Sequence, residues 1–132
     1  MENTTEQAVL APVYALLEGM AQKSKAQMMQ QVLPTGVAAN WRAGSLRHLQ
    51  FETLFDRLLE FHANDEISEP LTDPVVHIGN HVAAVWAPYE FFLNGQLHHS
   101  GTNVFNLLKL DGRWVIVGLA DDSQLAGDRP GL

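Results

Sequence analysis

Two dipeptides, Asn94-Gly95 and Asp111-Gly112, divide the last third of the chain into three long β-rich runs. The runs are Val82 to Leu93, Gln96 to Leu110 and Arg113 to Asp122. Asn-Gly and Asp-Gly tolerate the positive φ that two-residue hairpin turns need, so each marks a tight antiparallel connection. Strands this long, paired as a meander, twist and curl around something. The C-terminal third is therefore expected to be a curved sheet, and the rest of the chain must supply what it wraps.

Upstream the hydrophobic period is helical. Val9, Leu10, Val13, Leu16, Leu17 and Met20 fall on one helical face between Thr4 and Lys23, and Thr4 with Gln7 has the pattern of a capping box. Pro12 interrupts this run, and an interior proline costs about 3 kcal/mol; either the helix kinks there or its main part starts at Pro12. Ser24 followed by Gln27 opens a short second helix through Met28, Met29 and Val32, stopped by Pro34. Gly36 to Trp41 reads as a short strand or hairpin arm ended by Gly44. A third helix follows, with Phe51, Leu54, Phe55, Leu58, Leu59 and His62 at helical spacing. Pro70 and Pro74 push Ile67 to Ile78 to a sheet edge, and Gly79-Asn80 turns into the meander.

Helices first and antiparallel strands after make an α+β domain, expected to span residues 1–122, with a loose tail from 123 to 132. Of the 132 residues, 46% are hydrophobic and 17% charged, a globular balance. A formal charge of −7 and eight scattered Lys and Arg argue against nucleic-acid and membrane partners. No apolar run approaches the roughly 20 residues that span a bilayer. The opening residues are acidic and polar, unlike a secretion signal. The chain has no cysteine, which excludes thiol chemistry and fits a cytoplasmic protein.

The stretch from Thr102 to Ile116, with Asn103, Phe105, Leu107 or Leu108, Lys109 and then Asp111-Gly112-Arg113-Trp114-Val115-Ile116, resembles the last two strands of the nuclear transport factor 2-like superfamily. More narrowly it is similar to the SnoaL-like and lumazine-binding-like small proteins. Val85 to Phe91 and the Gly101-x-Asn103-x-Phe105 pattern fit a branch of the same group. The resemblance covers about residues 76 to 122. It implies a cone: a curved antiparallel sheet wrapped around N-terminal helices, with a cavity open at one end. Members include isomerases, cyclases, dehydratases, ligand binders and dimerising scaffolds, so the fold does not choose the chemistry.

Alternation along the strands nominates the cavity lining. An uninterrupted two-residue turn at Asn94-Gly95 places Trp86 opposite Asn103 and Glu90 opposite His99. A three-residue turn at Leu110 to Gly112 would put Asn103 on the face of Leu119 and Asp121. A one-residue slip reverses every assignment. With His99 and Asn103 facing inward, the expected pocket holds Trp86, His99, Asn103 and Asp121, with Trp41 and Tyr89 near the mouth. His99 is the first acid–base candidate, because imidazole titrates near neutral pH; its competing reading is a core partner of Glu90. Asp121 is either a catalytic carboxylate or a solvated strand end. Asn103 can orient an oxygen but cannot act as a base, and an amide satisfied in the core would look the same. No metal site is expected: His98 and His99, as strand neighbours, point to opposite faces, and His77 and His81 flank a turn. No phosphate loop or nucleophile elbow is present.

Two classes of function remain open. One is a small-molecule protein that binds a hydrophobic ligand or transforms it by acid–base chemistry without a cofactor, as an isomerase, cyclase or dehydratase does. The alternative is a non-enzymatic accessory dimer with a vestigial cavity. A homodimer is expected in either case, since the face away from the cavity would carry Val85, Ala87, Tyr89, Val104, Leu108 and Val115.

Overall fold

Both hairpin turns form as their residues require. Asn94 and Asp111 take φ of 52° and 51°, followed by Gly95 at 80° and Gly112 at 77°. A third turn of the same kind, Ala43 (52°) and Gly44 (75°), joins the first two strands. The computed structural model describes residues 2–128, with side chains from 5 to 127.

Helix α1 (Glu2–Ala21) runs continuously through Pro12, so it neither starts there nor opens with a cap at Thr4. Ser24 caps α2 (Lys25–Gln30), its hydroxyl accepting from the Gln27 amide at 3.2 Å. That helix is shorter than its apolar pattern suggests. Val32 already belongs to β1 (Val32–Arg42), which includes Pro34. Proline is tolerated because pairing of β1 with its neighbour is interrupted between Val32 and Val37. Strand β2 (Ser45–Gln50) follows, then α3 (Phe51–Phe61), two short strands β3 (Ile67–Ser68) and β4 (Val75–Ile78), and the meander β5 (Val82–Leu93), β6 (Gln96–Leu110) and β7 (Arg113–Leu125). The short strands both pair with β5, giving the edge role expected of the proline-flanked segment. A 3-10 turn covers Ala126–Asp128. The tail expected to loosen at Ser123 is thus strand as far as Leu125, and Ser123 itself is buried.

The seven strands form one curved, unclosed sheet in the order β2-β1-β7-β6-β5-β3, with β4 beside β5. Only β1 and β7 run parallel. Helices pack on the concave side: α1 against β3, β4 and β7, and α3 against β1 and β2. Val9, Val13 and Leu16 from α1 meet Phe51 and Phe55 from α3 and Val85, Phe105, Leu107 and Ile116 from the sheet in one core. Phe55 is buried, as the helical spacing predicts, whereas Leu58, expected to be buried with it, is only half-buried. No helix among the described residues is long and apolar enough to cross a membrane.

Two bulges decide which side chains enter the cone. Pairing across Asn94-Gly95 starts as Leu93 with Gln96 and Phe92 with Leu97, then jumps to Phe91 with His99, leaving His98 as an extra residue. Beyond this point every partner is shifted by one: Ala87, not Trp86, faces Asn103, and Ser100, not His99, faces Glu90. On β6 and β7 the turn has two residues, and the shift comes later, with Val117 extra between Ile116 and Gly118. The outer face is corrected accordingly. Val85, Ala87 and Tyr89 are buried inside, and Val115 is also covered. Trp86 (55% exposed), Val82 (53%) and Val75 (48%) take their place outside.

Candidate functional site

Between the helices and the concave sheet lies a cavity of about 810 Å³. Leu16, Leu17, Met20 and Met28 contribute apolar wall from α1 and α2, with Phe55 and Leu58 from α3 and Phe105 and Leu119 from the sheet. Set into this wall is a compact polar cluster. Strand pairing puts Asn103 directly across from Asp121, and Asn40 of β1 beside Asp121. Tyr89 Oη donates to Asp121 Oδ1 at 2.8 Å, and Asn40 Nδ2 donates to Asp121 Oδ2. Asn103 Nδ2 donates to Glu69 Oε2 at 2.8 Å. Behind them Arg42 Nε donates to Ser123 Oγ at 2.9 Å.

Burial dominates the electrostatics. It pushes the Glu69 carboxyl up to about 8, against the bond from Asn103 and assisted by the Asp121 charge. Glu69 is half-buried and lines the cavity. Asp121 is raised too, mainly by burial, while Tyr89, Asn40 and Arg42 hold it back. Burial and the adjoining carboxylates push the Tyr89 phenol well above its ordinary value. Two carboxyls in one apolar cavity, each resisting ionisation, form the arrangement from which proton donors and acceptors are made.

His99 is in the cavity but is held neutral. Burial, then Arg42 and His98, push it down to about 3. Its ring stacks on Phe91 at 4.5 Å and meets Tyr89 edge-on at 5.8 Å. The bulge also turns His98 inward, so the two rings are perpendicular, 5.1 Å apart, with Nδ1 atoms at 2.8 Å. Neighbouring histidines at a bulge therefore do not point to opposite faces. No group of three His, Asp or Glu among the described residues gathers as metal ligands would.

The cavity thus brings together His99, Asn103, Asp121 and Tyr89 and leaves out both candidate tryptophans. Trp41 and Trp86 are 52% and 55% exposed and do not line it. Trp86 is excluded by the His98 bulge, which places it beside Val104. Trp41 is excluded by alternation: its neighbours Asn40 and Arg42 are the residues facing inward. Asp121 is not the wet strand end anticipated, because β7 continues past it to Leu125. Glu69 and Asn40 are additional. Asn40 was detectable, being an amide two residues after Ala38 in a short apolar strand. Glu69, beside Pro70 in an irregular edge segment, carries no local signal.

The sequence matches the family described as "Putative lumazine-binding" over residues 4–119. No curated protein matches it in sequence. Among solved structures, an NTF2-like protein from Cytophaga hutchinsonii superposes with a TM-score of 0.75 at 12% identity, covering 89% of this chain and 96% of that one. An NTF2-like protein of unknown function from Shewanella baltica gives 0.72 at 16% identity, over 93% and 96% of the two chains. A protein of unknown function with a cystatin-like fold from Nostoc punctiforme gives 0.70 at 8% identity, over 96% and 95%. At such identities the superpositions establish the fold, and the match over residues 4–119 establishes the family. The chain belongs to the lumazine-binding-like family, and its fold is that of the NTF2-like proteins.

Proposed function

We propose that this protein takes a small, largely hydrophobic molecule into its cone and holds it against the Tyr89–Asp121–Asn103–Glu69 cluster. The observation that carries this reading is the open cavity of about 810 Å³, apolar over most of its wall with a few convergent polar groups. A vestigial interior would have been closed by side chains. The family description adds a ring-shaped heterocycle to the ligands worth trying. The same geometry supports cofactor-independent acid–base turnover of isomerase, cyclase or dehydratase type. In that reaction the Asp121 carboxylate accepts a proton from the ligand and protonated Glu69 supplies one. Neutral His99 and Asn103 are suited to hold an oxygen, not to move a proton.

Binding is tested with N-phenyl-1-naphthylamine, a neutral dye that fluoresces in apolar surroundings. A saturable one-to-one rise is expected, competed by the ligand if one co-purifies. Fluorescence that stays at the buffer level throughout the titration would remove the reading.

The outer face supports a homodimer. Trp86, Val82, Val75 and Leu108 expose apolar surface on the side of the sheet away from the helices and the cavity. Light scattering is expected to give twice the chain mass for the wild type and the chain mass for Trp86→Glu. A monomeric wild type at micromolar concentration contradicts this. A cytoplasmic setting agrees with the absence of cysteine.

A further inference from the structure

The cavity carries a second chemical signal, separate from its acid cluster. The chain is acidic overall, at −7, and has five arginines: Arg42, Arg47, Arg57, Arg113 and Arg129. Three of them, Arg42, Arg47 and Arg57, line this one cavity. Across the β1–β2 hairpin Arg47 pairs with Asn40 and Arg42 with Ser45, so the two arginines are diagonal neighbours on the concave face. Arg57 comes from α3, and both it and Arg47 are exposed, which puts them at the mouth. Like charges on neighbouring strands repel. Among the described residues the ion pairs are those of Lys25 and His62, and no arginine takes part in one. Glu60 lines the same cavity without an ion pair to any of the three. Arg42 is fixed by its bond to Ser123, and its charge is felt inside, where it opposes ionisation of His99 and favours that of Asp121.

We propose that the natural ligand is an organic acid, its apolar body in the cone and its carboxylate-type head held at the mouth by Arg47 and Arg57. This rests on the small-molecule reading above and narrows it. Guanidinium groups present forked donors that match a carboxylate two at a time. Attraction across a partly dry cavity exceeds that in open water. A protein of this net charge would otherwise repel an anion, so local cations are what such a ligand requires. The head at the mouth leaves the other end of the molecule beside Tyr89 and Asp121.

The test uses a matched pair, naphthalene-1-acetate and naphthalene-1-acetamide, each displacing N-phenyl-1-naphthylamine from the full chain near neutral pH. The two differ in charge and scarcely in size. The acid is expected to bind about tenfold more tightly than the amide, as a charge-assisted bidentate contact supplies. In Arg47→Gln/Arg57→Gln the ratio is expected to fall to about twofold or less, the remainder being Arg42. Arg47→Lys/Arg57→Lys should retain part of it. Both positions are exposed, so the core is untouched. Equal affinity of acid and amide for the wild type, or a ratio that survives the glutamine substitutions, overturns the inference while dye binding still stands. Failure of the dye to bind the wild type overturns the small-molecule reading, and this inference with it.

Discussion

Glu69→Gln is expected to raise the thermal midpoint strongly near pH 8 and only slightly near pH 5. The folded carboxyl titrates at about 8 against an ordinary 4.5, with burial as the main cause. Because the folded value is the higher one, the favourable contribution is complete below the unfolded value and is lost as pH rises toward the folded one. Between those limits the unfolded chain ionises freely while the folded one resists. A shift of this size corresponds to roughly 3–5 kcal/mol at the alkaline end. Asp121 acts in the same sense, being raised as well. His99 acts in the opposite sense: held down to about 3 from 6.5, it withdraws stability as pH falls through that interval. The wild type should therefore be most stable in mild acid and weaken on both sides. His99→Gln should flatten the acidic limb and Glu69→Gln the alkaline one. Melting curves across the pH range check both, and a wild-type midpoint that does not move between about pH 5 and pH 8 would rule the scheme out.

Gly101→Ala is the second large effect expected. A β-carbon built on Gly101 would collide with the Asp122 carbonyl oxygen and lie 2.8 Å from Ser123 Cα, both backbone atoms of the next strand. Backbone cannot rotate aside as a side chain can, so β6 and β7 would have to part. The break falls two residues from the Asn103–Asp121 pair, within the polar cluster. A loss of about 3 kcal/mol or more in urea denaturation is expected, with weakened dye binding alongside. Gly118→Ala provides the comparison. On the same sheet, its added carbon would meet nothing nearer than Asn106 Nδ2 at 3.6 Å, so stability should be kept or slightly improved. Equal outcomes at the two positions would count against this account.

The turns and the overall class were legible because Asn94-Gly95 and Asp111-Gly112 have few conformational alternatives. The buried stripe of α3 was legible for a similar reason, since Phe51 and Phe55 recur at helical spacing. Less could be read where a local rule was overridden by packing. Pro34 looked like a helix stop, yet it lies inside β1 at the one place where pairing lapses. Strand β2 was invisible because Ser45–Gln50 is almost wholly exposed and has no apolar row to betray it. In the site, Asn103 and His99 were placed on the inner face, while Trp86 was assigned there through the register that the bulge breaks. The residue type at position 98 gives no hint of an extra member in the ladder. Glu69 escaped for a different reason: its role depends on contact with a strand 34 positions away.

The two unpaired residues, His98 and Val117, have a consequence for how such a cavity can change over time. Each works as a phase setter for everything beyond it along the meander. Were the ladder to run on through position 98 without a bulge, Trp86 would face Asn103, and one of the two strands would have to turn its other row of side chains inward. Substitutions adjust a lining one residue at a time; a single insertion or deletion in a long strand replaces it entirely while leaving the scaffold's turns and helices in place. Chains sharing this fold can thus diverge abruptly in what they hold, and alignment by residue identity alone would compare inner positions of one with outer positions of another.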